Sequence, residues 1–142
     1  MGKVMNRIKL SNTTDLGMAR AGALRPDQVR TLEIDALVDT GATMLAIPAD
    51  VAAALGLPEL DRRKVKLADG SVFEVSRVGD LRFEVLNRDM HCDALVLPAG
   101  STPLIGQLQL EALDLLVDAK SQQVMVNPAS PDMPLLDLLH AS

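Results

Sequence analysis

Apolar and polar residues alternate along much of this chain, and the alternation predicts β-strands. The clearest case is residues 31–38, where the even-numbered residues 32–38 are apolar and share one face. The other face is acidic at Glu33 and Asp35 and becomes apolar at Leu37. This pattern is typical of a strand that packs one face on a core and exposes the other. Further strands are predicted from similar alternation or short apolar runs at residues 1–10, 65–75 (a hairpin), 78–86 and 90–97, and at residues 116–118 and 123–126 (a last hairpin).

One segment, residues 47–57, carries the signals of a short helix. Pro48 is well tolerated in a first helical turn, and Asp50 favours the positive end of the helix dipole. Three alanines, which are strong helix formers, follow soon after. Gly56 and Pro58 then supply a stop signal, so we expect a helix with a well-defined end.

The remaining segments connect these elements or follow them. The leucine-rich residues 107–115 predict a second helix of about two turns. Residues 11–27 are rich in turn-forming residues and predict a long, exposed insertion, and residues 87–89 predict a turn. We expect one domain over residues 1–128. The composition then changes, and residues 129–142 form a tail that either docks on the domain or joins a partner chain at a dimer interface.

The composition is that of one ordinary globular domain. The chain has 142 residues, of which 48% are apolar and 23% are charged. Its formal net charge is −5, its only basic cluster is the short run at residues 62–64, and its only aromatic residues are Phe73 and Phe83. Nucleic-acid binding usually needs basic grooves and often stacking rings, so this composition argues against a nucleic-acid partner.

Three features bear on the compartment. The single cysteine, Cys92, has no second cysteine in the chain with which to form a disulfide. No apolar run approaches the length of a membrane span, and no apolar block of the signal-peptide kind follows the basic N-terminal residues. We therefore expect a cytoplasmic protein with no membrane partner.

The residues that follow the clearest strand carry the candidate chemistry. The strand ends at Val38, and Asp39, Thr40 and Gly41 come next, with no further charge for several residues. Burying an unpaired carboxylate is costly, so an Asp at the tip of a buried strand indicates a use for its charge. The alternative is an Asp that only caps a turn. The glycine predicts a turn with a positive φ or a close backbone approach.

Residues 37–42, with the sequence Leu-Val-Asp-Thr-Gly-Ala, resemble the active-site loop of the retropepsin-like (retroviral-type) aspartic proteases. Later parts of that family's pattern also occur in order: a hairpin at Asp69, an apolar-apolar-glycine element at residues 104–106, a helical segment and a closing strand. The resemblance covers residues 31–128 and is that of a single-domain member of bacterial type. It implies an all-β, closed-barrel fold with one or two short helices.

The resemblance implies that the chain is an aspartic endopeptidase. In that chemistry two carboxylates share one proton: the ionised carboxylate takes a proton from water, and the neutral one hydrogen-bonds the substrate carbonyl. Because this chain has a single Asp-Thr-Gly, it needs a homodimer in which Asp39 of each subunit meets its copy on a two-fold axis. The substrate would be a peptide or protein, and no metal or other cofactor is expected.

The resemblance also implies roles for other residues around the catalytic Asp39. Thr40 would hydrogen-bond across the two-fold axis. The residues expected to support the active-site loop are Thr40, Gly41, Ala42, Ile105 and Gly106. The residues expected at the tip of a flap that closes over the substrate and excludes water are Asp69, Gly70 and Ser71.

Two other hypotheses stay open. A non-catalytic dimeric peptide-binding or scaffold module on the same fold would keep the loop but cleave little. A protein whose tail drives assembly would need only the apolar run at residues 135–139. A metal site or a catalytic pair at His91 and Cys92 is disfavoured, because adjacent residues on a strand point to opposite faces.

Overall fold

The computed structural model describes residues 3–138 of the chain. The expectations for residues 1 and 2 and for the tail beyond residue 138 lie outside this part. The elements follow one another as β1 (Met5–Asn12), α1 (Thr13–Arg20), a 3₁₀ turn (Pro26–Gln28), β2 (Thr31–Val38), β3 (Ala46–Pro48), α2 (Ala49–Ala54), β4 (Glu59–Lys66), β5 (Val72–Val85), β6 (Arg88–Leu97), β7 (Leu104–Ile105), α3 (Gln107–Ala112), β8 (Leu115–Asp118) and β9 (Gln123–Val126).

Six strands close into a barrel. Their order is β1-β2-β7-β3-β6-β5, and β1 pairs with β5 to complete the circle. Strand β4 lies outside it and pairs with β5, and β8 and β9 form a separate two-stranded sheet. The all-β, closed-barrel fold class is therefore confirmed, although the described residues contain three short α-helices rather than one or two. None of the helices in this part of the chain is long and apolar enough to cross a bilayer.

The core fills the barrel and extends beneath its helices. Apolar side chains from β1, β5 and β7 are fully buried, among them Leu10, Phe83 and Ile105. Strand β2 spans residues 31–38 as expected, and its predicted inward face is the more buried one, with Ala36 wholly inaccessible to solvent. The alternation in the sequence therefore located the inside of the barrel correctly.

Most of residues 11–27, the predicted exposed insertion, are exposed, but the segment holds the end of β1, helix α1 and a 3₁₀ turn. Helix α1 begins directly after β1, where the Asn12 side chain accepts a hydrogen bond from the Asp15 amide and donates one to the Leu55 carbonyl. Asp15 is buried, and Arg30 donates to both of its carboxylate oxygens. These bonds hold the pKa of Asp15 below its ordinary value. A helix with so few apolar residues has no periodic signal, and distant partners fix it instead.

The predicted helix at residues 47–57 begins later than expected. Ile47 and Pro48 belong to β3, which pairs with β6 in parallel and contacts β7 at Ala46. Pro48 therefore precedes the helix instead of lying inside its first turn. The stop signal is confirmed, because α2 ends just before Gly56, whose φ is +65°.

The predicted hairpins are present, with different lengths. The hairpin of residues 65–75 belongs to a longer pair, β4 and β5, and β5 also absorbs the strand predicted at residues 78–86. The expected turn at residues 87–89 lies at Leu86 and Asn87, both with positive φ, while Arg88 already belongs to β6. Arg88 is buried because its guanidinium donates to the carbonyls of neighbouring loops.

The first part of the C-terminal tail docks on the domain. Asp114, which follows α3, accepts hydrogen bonds from the Asn127 side chain, the Ser130 hydroxyl and the Leu135 amide. Arg88 also donates to the Ser130 carbonyl. The three bonds to its carboxylate hold the pKa of Asp114 below its ordinary value. We call this arrangement the tail clamp.

Burial predicts very different roles for the two aromatic residues. Phe83 is fully buried in the barrel, whereas Phe73 is 40% exposed on the outer hairpin. We expect Phe83→Ala to lower the free energy of unfolding by about 3–5 kcal/mol, because it removes a large buried side chain and leaves a cavity. Phe73→Ala, the matched control, should cost much less. Urea unfolding measures both, and equal losses would contradict the assigned core.

The tail clamp predicts a specific dependence of stability on pH. Because the pKa of Asp114 is depressed in the folded state, its contribution is complete above the ordinary Asp value of about 4 and is lost as the pH falls through the folded pKa. We expect the stability difference between the wild type and Asp114→Asn to shrink on acidification. Asn also tolerates the positive φ of 53° at this position. A difference that stays constant with pH would contradict the clamp.

Candidate active site

Asp39 lies immediately after β2, at the start of a loop that the barrel holds in place. The Leu37 amide donates to the Pro103 carbonyl at 2.8 Å, and the Asp39 amide donates to the Ile105 carbonyl at 3.0 Å. These bonds continue the parallel pairing of β2 with β7. The backbone of Asp39 is therefore fixed by the same ladder that closes the barrel.

The far side of the loop is fixed by the first turn of α3. The Gln107 amide donates to the Ala42 carbonyl at 2.8 Å, and the Leu108 amide donates to the Thr43 carbonyl at 3.0 Å. These are amides that the first turn of a helix leaves without partners inside the helix. The loop thus satisfies the start of α3, and α3 in turn holds the loop.

Gly106 lies between these two sets of bonds and is buried. A Cβ atom at this position would lie 2.5 Å from the backbone nitrogen and carbonyl carbon of Met44. Backbone atoms have little freedom to move away, so only glycine fits without displacing the loop. The neighbouring Ile105 is 1% exposed and belongs to the core. The structure therefore places both residues of the predicted supporting element against the loop.

The carboxylate of Asp39 is half-buried and oriented by its own loop. Its Oδ1 accepts a hydrogen bond from the Gly41 amide at 3.0 Å, and its carbonyl accepts one from the Ala42 amide at 3.0 Å. A Cβ at Gly41 would lie 3.3 Å from that Oδ1, closer than most such contacts. The second carboxylate oxygen has no hydrogen-bond donor among the described residues.

The surface beside Asp39 is open. Thr40 is exposed and lines a shallow depression of about 360 Å³, together with other residues of the loop and of α3. A larger depression of about 880 Å³ also begins at Thr40 and runs along α3 to the tail. Within residues 3–138, no group of His, Cys, Asp and Glu side chains is arranged to hold a metal ion.

The predicted flap residues form the tip of the hairpin between β4 and β5. Asp69 Oδ1 accepts hydrogen bonds from the Ser71 amide at 2.9 Å and from its hydroxyl at 2.6 Å, and these bonds lower the pKa of Asp69. Gly70 has a φ of +88°, which glycine adopts without strain. In the part of the chain that the structure describes, no hydrogen bond joins this tip to the loop of Asp39. The flap role stays a prediction.

Arg77 at the base of this hairpin is a feature that the sequence did not indicate. Its guanidinium donates to both carboxylate oxygens of Asp61, at 2.8 and 2.7 Å, and also to Asp93. These contacts join β4, β5 and β6, and they lower the pKa of Asp61. The three residues are far apart in sequence, so no local pattern could have revealed the cluster.

The structure places His91 and Cys92 on opposite faces of β6, as expected. Arg82 lies opposite His91 and Leu81 opposite Cys92 in the register with β5. Burial raises the pKa of the Cys92 thiol to about 12, so the residue stays a neutral thiol at ordinary pH. It is therefore not an activated nucleophile.

The loop and barrel together have the architecture of the retropepsin-like class, a closed β-barrel that presents one Asp-Thr-Gly-Ala loop. Comparison with known families agrees with this geometry. The model of the family described as "gag-polyprotein putative aspartyl protease" matches residues 28–112, which are 85 of the 142 residues. The chain therefore belongs to the retropepsin-like aspartic protease family. In a comparison with curated proteins, none matches the chain.

The close contact at Gly106 predicts a sharp contrast between two glycines. We expect Gly106→Ala to lower the free energy of unfolding by about 1–3 kcal/mol, because the added methyl group clashes with backbone atoms of Met44 that have little room to move away. Gly17→Ala in α1 has no atom within 4 Å of the new methyl group and should raise stability by about 0.5–1 kcal/mol. Urea unfolding compares the two, and a Gly106→Ala protein as stable as the wild type would contradict this packing.

Proposed function

We propose that this chain is an aspartic endopeptidase that works as a homodimer, with Asp39 of each subunit forming the catalytic pair. The observation that carries the proposal is the loop geometry. Asp39 is held by backbone bonds to the barrel, its carboxylate is oriented by the Gly41 amide, and one of its oxygens is left free of donors from the described residues. Membership of the aspartic protease family supports the same chemistry.

The chemistry explains why one chain is not enough. Two carboxylates a few ångströms apart do not both ionise easily, so they share one proton and titrate as a pair. The chain supplies one such carboxylate, at Asp39, in its single Asp-Thr-Gly. A two-fold axis beside the loop brings the second copy of the same residue into place, and the surface around it must then be self-complementary.

In the proposed mechanism a water molecule lies between the two carboxylates. The ionised carboxylate takes a proton from the water as its oxygen attacks the peptide carbonyl carbon. The neutral carboxyl group hydrogen-bonds the carbonyl oxygen and transfers its proton to it, which gives a hydroxyl in the tetrahedral intermediate. The C–N bond then breaks as the leaving nitrogen takes a proton from the carboxyl group that had accepted one. A hydroxyl of the intermediate returns its proton to the other carboxylate as the new carbonyl forms, so the pair returns to its starting state.

The other predicted residues hold the Asp39 carboxylate in position or control the access of water and substrate to it. The Gly41 amide fixes the carboxylate orientation, and Gly106 lets α3 lie directly against the loop. Thr40 is exposed next to Asp39 and is free to hydrogen-bond its copy across the axis. The turn of Asp69, Gly70 and Ser71 closes over an extended peptide and excludes water from the reacting bond.

The direct test compares Asp39→Asn with a matched control on an unfolded protein substrate, from acid to neutral pH. We expect Asp39→Asn to lose activity by about a hundredfold or more, because an amide cannot take the proton from water. The control, Asp35→Asn, lies on β2, the strand that leads to Asp39, and Asp35 is exposed and makes only a 3.5 Å ion pair with Arg7. It should retain full activity and stability.

Three results would contradict the proposal. Equal cleavage by the wild type and Asp39→Asn would show that the observed hydrolysis does not use this residue. Absence of cleavage by every variant, with a dimer that still binds unfolded peptide, would favour the non-catalytic binding or scaffold module. A strictly monomeric protein that cleaves would exclude the two-chain mechanism.

A further inference from the structure

Strand β4 forms an edge of the sheet and has three basic residues on one face. In the described part of the chain β4 pairs only with β5, so the other side of this strand is open. Arg62, Lys64 and Lys66 alternate along β4, so their side chains share one face, and all three are exposed. We call the open side of β4, with these three residues, the basic edge. It stands out in a chain whose formal net charge is −5.

The hydrogen bonds at the tip of the hairpin show which backbone groups of β4 point to the open side. The Leu67 amide donates to the Ser71 carbonyl at 2.9 Å, so these two residues form a hydrogen-bonded pair. Hydrogen-bonded and non-hydrogen-bonded pairs alternate along an antiparallel ladder. Lys66 therefore belongs to a non-hydrogen-bonded pair, and the same holds for Lys64 and Arg62 further along β4. The amides and carbonyls of the three basic residues thus point away from β5, toward the open side.

The two lysines of the basic edge keep their charge available for a partner. Arg62 lies 3.6 Å from Glu59 and 4.0 Å from Glu74, so its charge is partly matched within the hairpin. Glu74 also lies opposite Lys64 in the ladder. Neither Lys64 nor Lys66 forms an ion pair with any residue among positions 3–138, and both are exposed. The basic edge therefore combines unpaired backbone groups with unmatched positive charge.

We propose that the basic edge binds an extended acidic segment of another protein as an additional antiparallel strand. An edge strand offers backbone donors and acceptors, and a peptide in an extended conformation satisfies them. In this pairing every second peptide residue lies opposite Arg62, Lys64 or Lys66 and on the same face of the sheet. Acidic residues at those positions complement the three cations. The inference concerns binding alone and does not depend on cleavage by Asp39.

The charges decide which strand fits the basic edge. A copy of β4 would place like charges opposite each other, which is destabilising. Charged side chains on an edge also deter apolar strands, so an acidic strand is the one that these residues favour. A nucleic acid or an anionic lipid surface would meet the cations, but neither extends a ladder of alternating amides and carbonyls. An acidic peptide satisfies both the side chains and the backbone.

The test measures the binding of labelled peptides by fluorescence anisotropy at low ionic strength. The probe is Thr-Glu-Val-Glu-Val-Glu-Thr, whose glutamates have the same alternation as the three cations. Its counterpart with glutamine at all three positions should bind at least about tenfold more weakly, because it lacks the charges. All measurements are repeated with the Asp39→Asn protein, in which the proposed catalytic pair cannot consume the peptide.

Two N-methylated forms of the probe test the backbone pairing. Methylation of the central glutamate nitrogen removes an amide that faces β4, whereas methylation of a valine nitrogen removes one that points away from it. The two peptides have the same composition and charge. We expect the form methylated at glutamate to bind at least about tenfold more weakly than the form methylated at valine.

Two charge reversals in the protein test the location. Lys66→Glu changes the basic edge at a position opposite Val72, where no acidic side chain faces it across the ladder. Lys120→Glu, the matched control, makes the same change in the exposed turn between β8 and β9. We expect Lys66→Glu to raise the dissociation constant of the probe at least about fivefold, and Lys120→Glu to leave it unchanged. Circular dichroism confirms that both variants are folded.

Three outcomes would overturn the proposal. The first is a wild-type protein that does not bind the probe even at millimolar peptide. The second is equal affinity for the two N-methylated peptides, which would show that the cations attract a polyanion without strand pairing. The third is a Lys66→Glu protein that binds the probe like the wild type, which would place the binding site elsewhere.

Discussion

The position of Asp39 depends on backbone hydrogen bonds between its loop and the segment from Pro103 to Leu108. The amides of Leu37 and Asp39 donate to that segment, and two amides of α3 donate back to the loop. Each such bond contributes only about 1 kcal/mol, but together they fix both ends of a loop that has no regular structure of its own. Gly106 makes this possible, because any side chain there would separate the two backbones.

Three arginines hold together the parts that the barrel ladder does not reach. Arg30 ties the chain before β2 to Asp15 at the start of α1, Arg77 joins the base of the outer hairpin to β6, and Arg88 anchors the tail. In each case a fixed guanidinium bridges segments that are distant in sequence. These contacts allow a compact six-strand barrel to carry an added helix and an added tail without disturbing the strands that deliver Asp39.

Some of these features could be predicted from the sequence, because the residues that specify them are neighbours in the chain. Strand β2 alternates over residues 31–36 and ends in a short apolar run, and the Asp-Thr-Gly-Ala loop follows it directly, so strand, face and candidate catalytic residue all lie in one short window. Helix α1 and strand β3 gave no comparable signal. Helix α1 is fixed by Asn12 and Arg30, and β3 is a three-residue strand that exists only because β6 and β7 flank it.

The sequence by itself determined strand β2, its inward face and the candidate carboxylate at its end, because each depends on neighbouring residues. Only the tertiary structure decided that α3 seals the loop, that Arg77 and Arg88 anchor the hairpin and tail, and that Leu135 and Leu136 stay exposed beside Thr40. Those contacts join residues that lie tens of positions apart in the sequence. Their free energy comes from contacts that form when the barrel closes, and no short stretch of sequence encodes them.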